Sequence, residues 1–253
     1  MKDDLFPADR LSPLLRSGDS LSAGNSSSFT VLPGTATLLV FTTQPAGATA
    51  GASFVTQPVI HTRDAYGNNS TVGLGASVPV TLAKIGSGTL QGTLGYDIGT
   101  SHGNGTITGI GLRFDTAGSI ALRATGSGLA DGDSGSFTVS PASASKLVFT
   151  TQPVNTGAGV AISPSVVVTV QDPFDNTVTG DNSTAVTISG TTFMDSSTLT
   201  VSAGSGVATF SNLKPRTIGT GITLKANGGS LTEGISAPFD VTATSKGTIF
   251  KIR

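Results

Sequence analysis

The chain has 253 residues, with 14 Lys and Arg against 15 Asp and Glu and a formal net charge of −1. It carries no basic cluster, which excludes an electrostatic footprint for nucleic acid or an anionic membrane. The absence of cysteine excludes disulfides, thiol chemistry and Cys-based metal sites, and no apolar run approaches the roughly 18–20 residues of a membrane span.

Residues 1–19 form an arm distinct from the rest, rich in charge and with a helical turn expected around Leu11–Leu15. Its acidic start and interrupting prolines do not read as a signal peptide. Residues 20–37 come next. Within them Leu21–Val31 matches Leu129–Val139 at an offset of 108, so this stretch resembles the last strand of a preceding repeat, followed by a linker. LVFTTQP then opens a first domain (38–140) and recurs letter for letter at 147–153, opening a second (146–242) after a linker at 141–145. At the same offset the Asp64–Asn68 turn faces Asp172–Asn176. With small deletions, Gly105–Leu112 faces Gly206–Leu213, Ile120–Ala124 faces Ile222–Ala226 and Phe137–Val139 faces Phe239–Val241. Residues 243–253 echo a first strand again, Lys246–Phe250 against Lys146–Phe149.

Each copy reads as about seven short strands separated by Gly, Asn, Asp and Ser. Val166, Val168 and Val170 share one face at period two. In the matching strand, Ile60 and Thr62 point inward while His61 and Arg63 point out. Phe41, Phe137, Phe149 and Phe239 are the expected core anchors. The fold predicted is all-β: two tandem immunoglobulin-like β-sandwiches with a spare strand at each end.

Chemistry is sparse. There is a single Glu, Glu233, and two histidines; no G-x-S-x-G elbow is present, and no catalytic or cofactor-binding residue is assigned. The two repeated Asp–Asn turns are the candidate metal sites. Should a metal bind, Asp172 and Asp175 are the pair to take it, as Ca2+, an ion that needs six to eight oxygens. The reading favoured by the residues is that Asp and Asn simply close the turn through side-chain hydrogen bonds, since neither turn has the EF-hand spacing. There is no Trp, and Tyr66 and Tyr96 are the only tyrosines; Tyr66 aligns with Phe174, which favours packing over sugar stacking. Lys84 has no counterpart in the second copy, which argues against an isopeptide bond.

The LVFTTQP opening, the V-x-V-x-D-x-x-x-N strand and turn at 166–176, the G-V-A-T-F strand at 206–210 and the closing F-x-V together resemble tandem bacterial immunoglobulin-like repeats of large surface and adhesin-type proteins. The strand–turn element is similar to the invasin and intimin group-1 domains. The resemblance covers roughly residues 20–250. It implies an extracellular or cell-surface location and a role as spacer or adhesive module.

The expected function is therefore a non-catalytic rod-like spacer or filament subunit. Spare strands carry unpaired backbone groups, so head-to-tail joining of the chain to itself by strand donation is one expectation, with Phe29, Val31, Ile249, Phe250 and Ile252 at the interface. An adhesin-type module for a glycan or protein on a host or neighbouring cell is an alternative, as is a phage decoration protein.

Overall fold

Period-two alternation of β-branched and apolar residues buries one face of each strand, and the positive-φ glycines Gly105 and Gly206 stand just before a strand at matching places in the two copies. The computed structural model describes residues 30–86 and 89–244. The chain divides into a unit ending at Leu32 and a unit from Pro33 onward, and both sandwiches lie in the second.

The first sandwich contains β1 (Leu38–Thr43), β2 (Ala48–Thr49), β3 (Val59–Arg63), β4 (Pro79–Lys84), β5 (Gln91–Thr93), β6 (Gly95–Asp97), β7 (Thr106–Thr108), β8 (Ile110–Arg113), β9 (Gly118–Ile120), β10 (Leu122–Gly126), β11 (Gly132–Asp133) and β12 (Phe137–Ser140). Joining β1 to β2, β5 to β6, β7 to β8, β9 to β10 and β11 to β12 across short breaks leaves the seven expected runs. The second contains β13 (Lys146–Thr151), β14 (Thr156–Gly157), β15 (Val166–Gln171), β16 (Ala185–Ser189), β17 (Thr200–Ser202), β18 (Val207–Phe210), β19 (Gly219–Ile222), β20 (Lys225–Asn227), β21 (Gly234–Ile235) and β22 (Phe239–Thr242).

In the first sandwich the sheet β1-β3-β7 packs over β11-β10-β4-β6, and in the second β13-β15-β18 packs over β17-β16-β20-β21. The strands β2-β12-β9 and β14-β22-β19 repeat one arrangement in which a parallel pair sits beside an antiparallel one. Registers repeat too. Leu39 faces Thr62 and Phe41 faces Ile60; Leu147 faces Val170 and Phe149 faces Val168, with a bulge at the same place in each strand.

Each sandwich has its own core. Val166, Val168 and Val170 are fully buried, and Ile60 and Thr62 are buried on the inward face. Phe41, Phe149 and Phe239 are buried anchors. Phe137 is half-buried and meets Phe54 edge-on, ring centroids 5.1 Å apart. Phe114 and Phe210 are the largest fully buried side chains, each contributing about 1.5–3 kcal/mol of apolar burial.

The invariant end of LVFTTQP has a structural cause. Gln44 donates to the carbonyl of Phe41 and accepts from Gly135 N; Gln152 donates to Phe149 and accepts from Ala237 N. The glutamine thus ties the end of the first strand to the segment entering the last one, in both copies.

Candidate functional site

The Asp172–Asn176 turn follows β15 and stands where the second sandwich meets the first. Its carboxylate organises it. Asp172 is fully buried; one oxygen accepts from Phe174 N (2.8 Å) and Asn176 N (2.9 Å), the other from Asn176 Nδ2 (2.8 Å) and from Ala142 N in the linker (2.8 Å). Burial pushes this carboxyl up, but the hydrogen bonds from Asn176, Ala142 and Phe174 outweigh it and hold its pKa below the ordinary value.

Asn176 then reaches across. Its Nδ2 donates to the carbonyl of Asp115 (2.7 Å) and its Oδ1 accepts from Ala117 N (2.8 Å), both in the loop between β8 and β9. Phe174 lies on Gly51 so closely that a Cβ there would fall 2.2 Å from its ring. Asp175 takes φ +69° and pairs with Lys146 at 2.5 Å on the exposed side. The joint therefore combines two hydrogen bonds from one side chain to backbone, one aromatic contact and a pinned linker.

The Asp64–Asn68 turn is built the same way. Asp64 accepts from Tyr66 N, Asn68 N, Asn68 Nδ2 and Gly34 N at 2.8–3.0 Å. Led by the Asn68 side chain, these bonds lower its pKa to about 2. Here the structure departs from the expected packing role of Tyr66. The ring is 89% exposed, because the surface that Phe174 covers belongs to a preceding sandwich, and Tyr66 meets no such surface among the described residues.

The two carboxylates named as the conditional Ca2+ pair have these partners: four N–H groups surround Asp172, and Asp175 faces an ammonium. Among the described residues no group of three or more His, Asp or Glu is gathered as for a metal ion. His102 Nδ1 lies 3.2 Å from Asp97, but the Ser77 hydroxyl donates to that same carboxylate oxygen. The group facing the hydroxyl is thus a carboxylate held well below its ordinary range, too weak a base to activate a serine nucleophile. The bond from Ser77, with those from Val78 N and Gly99 N, instead holds Asp97 at about 2 and closes a loop. Tyr96 is similarly committed, donating to Thr93 O and accepting from Ile110 N. The Lys84 ammonium lies 5.6 Å from the Phe114 ring centroid. Of the expected strand-donating residues, Val31 is 77% exposed, and Phe29, Ile249, Phe250 and Ile252 lie outside the described residues.

Sequence comparison finds the repeated Asp and Asn of each turn but not their partners across the joint. Asp115 and Ala117 contribute backbone atoms, which leave no signature in residue type, and Gly51 is one glycine among 34.

Both turns give stability a sign with pH. A depressed folded pKa stabilises above the unfolded value, 3.8, and that stabilisation is lost as pH falls through about 2 for Asp64. Thermal midpoints recorded from pH 7 downward should hold to about pH 4 and then fall, less so in Asp64→Asn; a flat profile to pH 2 would contradict the assignment.

The chain is thus a tandem immunoglobulin-like β-sandwich protein. No family model matches it, and neither does any curated protein. Among solved structures it is similar to FdeC, an adhesin of Escherichia coli (17% identity, TM-score 0.42, 85% of this chain and 67% of that one). It is also similar to InvD of Yersinia pseudotuberculosis (19%, 0.38, 85% and 60%) and to the adhesin InvE of the same organism (19%, 0.31, 82% and 58%). It spans only part of each.

Proposed function

We propose that the chain is a non-catalytic structural module, a stiff two-sandwich spacer working at or beyond the bacterial surface. The observation that carries this reading is the Asn176 bridge to Asp115 and Ala117, made while Asp172 holds the linker at Ala142. A linker joining independent domains needs no such bonds. One that is hydrogen-bonded at its centre and flanked by a docked turn resists bending. The residues that meet lie at the end of the first sandwich where the chain leaves it and at the end of the second where the chain enters, which favours an in-line stack. The resemblance of the repeats to those of bacterial surface proteins supports the location, and the low charge suits a passive role.

The test is a distance distribution between spin labels on Ile110→Cys and Ile235→Cys, exposed positions of the first and second sandwich in a chain without native cysteine. A single narrow distribution is expected. A broad one, as from beads on a string, would sink the spacer reading.

A further inference from the structure

We propose that the Asp64–Asn68 turn is the docking half of a second joint, and that its occupant is the distal end of the second sandwich of another copy of this chain. This rests on the spacer reading, since the joint inside the chain is its template.

That template asks three things of the sandwich being docked onto: an open glycine under the aromatic ring, a backbone carbonyl, and a backbone N–H two residues further on. The first sandwich supplies Gly51, Asp115 O and Ala117 N. At its own distal end the second supplies Gly159, Arg216 O and Ile218 N. The equivalence is fixed by structure. Gly51 N donates to Phe114 O as Gly159 N donates to Pro215 O, and Gly118 pairs with Val139 as Gly219 pairs with Val241. Among the described residues neither Arg216 O nor Ile218 N is hydrogen-bonded. Ile218 is 60% exposed.

The complementary half is equally ready. Asn68 gives one Nδ2 hydrogen to Asp64, and within the described residues its Oδ1 and second N–H have no partner. Asp64 already holds Gly34 N as Asp172 holds Ala142 N, so the turn is set before anything docks. Tyr66 stands where Phe174 stands and is 89% exposed against 39%. One adjustment is needed. The Met194 methyl lies 2.9 Å from where a Cβ on Gly159 would sit, covering the glycine. A thioether on a flexible stem can swing aside and meet the Tyr66 ring through its sulfur.

The contact is heterologous and does not close on itself, so repetition gives an open filament. It uses no residue of the spare strands, which separates it from strand donation. Without a covalent linker it lacks the high effective concentration of the internal joint, so assembly is concentration-dependent.

Cysteine pairs test this. Chains bearing Asn68→Cys and chains bearing Ile218→Cys are mixed and treated with a short bismaleimide. One chain bearing Asn176→Cys and Ala117→Cys serves as the internal reference, and Asn68→Cys mixed with Ile235→Cys as the undocked control. The reference should link within one chain, and the Asn68–Ile218 mixture should link about tenfold faster than the control, reflecting docked rather than colliding thiols. Equal rates alongside a linked reference would overturn the docking and leave the spacer reading standing; an unlinked reference would remove both. Because Asn68→Cys removes the docking amide as well as a bond of its own turn, sedimentation of the unaltered chain against Tyr66→Ser provides the deciding readout. Association about tenfold weaker in the variant at unchanged melting temperature is expected, and a chain monomeric at every concentration would overturn the proposal.

Discussion

Asn176→Ala should cost about 3 kcal/mol, whereas Asn68→Ala, the same change in the same turn of the first sandwich, should cost about 1 kcal/mol. Each variant loses one local bond, from the Asn side chain to Asp172 or to Asp64. Only Asn176 also loses the bonds to Asp115 O and Ala117 N, at 2.7 and 2.8 Å. Removing the side chain leaves that carbonyl and N–H short of partners in a part-buried interface, where each net hydrogen bond is worth about 1 kcal/mol. The difference between the two variants is therefore the coupling between sandwiches, free of the shared turn. For domains of this size it amounts to a midpoint drop of about 4–8 °C per kcal/mol. Denaturant unfolding at a concentration too low for self-association, followed by probes in each sandwich, measures it. Equal costs for the two variants would mean the joint carries no energy.

How legible this was depended on whether a structural need falls on side chains or on backbone. Alternating Val166, Val168 and Val170 announce a strand and its buried face, and all three are fully buried. Repetition of LVFTTQP announces the unit, and Gln44 and Gln152 recur because each makes the same two bonds. Phe54 and Phe114 do not announce themselves. They fill the core where the two sequences no longer match by type: Phe114 corresponds to Pro215, and Ile107 to Ala208. Packing conserves volume across a whole core rather than at one position, so pairwise comparison misses such residues. The joint was half legible. Asp172 and Asn176 stood out through their repeat, and the same pattern suggested a cation site, because carboxylate and amide oxygens that bind Ca2+ also bind N–H groups. In the structure the carboxylate of Asp172 takes the second of these uses, with four N–H donors around it.

Among glycines with no left-handed φ, the largest effect expected from a single methyl is at Gly132. It is buried in β11, and a Cβ added there would lie 2.2 Å from the carbonyl oxygen of Leu39 and 2.8 Å from its carbon. Those are backbone atoms of β1, so no rotamer change relieves the clash. To make room β1 must move away from β11, which stretches the bond from Leu39 N to Ala130 O (3.0 Å) and draws Leu39 and Phe41 out of the core. Overpacking of this kind costs about 1–3 kcal/mol, and the loosened hydrogen bond adds about 1 kcal/mol, which with the closest approach of the series puts Gly132→Ala at the upper end of about 2–4 kcal/mol. Gly234 is its counterpart in the second sandwich, with Leu147 O at 2.6 Å, so Gly234→Ala should cost less, about 2 kcal/mol. Gly128 separates crowding from backbone strain. It has φ +76° but nothing within 4 Å of its would-be Cβ, so Gly128→Ala meets only the left-handed penalty, about 1 kcal/mol. The expected order of unfolding midpoints in denaturant is Gly128→Ala highest, Gly234→Ala next and Gly132→Ala lowest. If Gly132→Ala were as stable as Gly128→Ala, the near-contact of β1 with β11 that draws the two sheets together at this edge would not exist in solution.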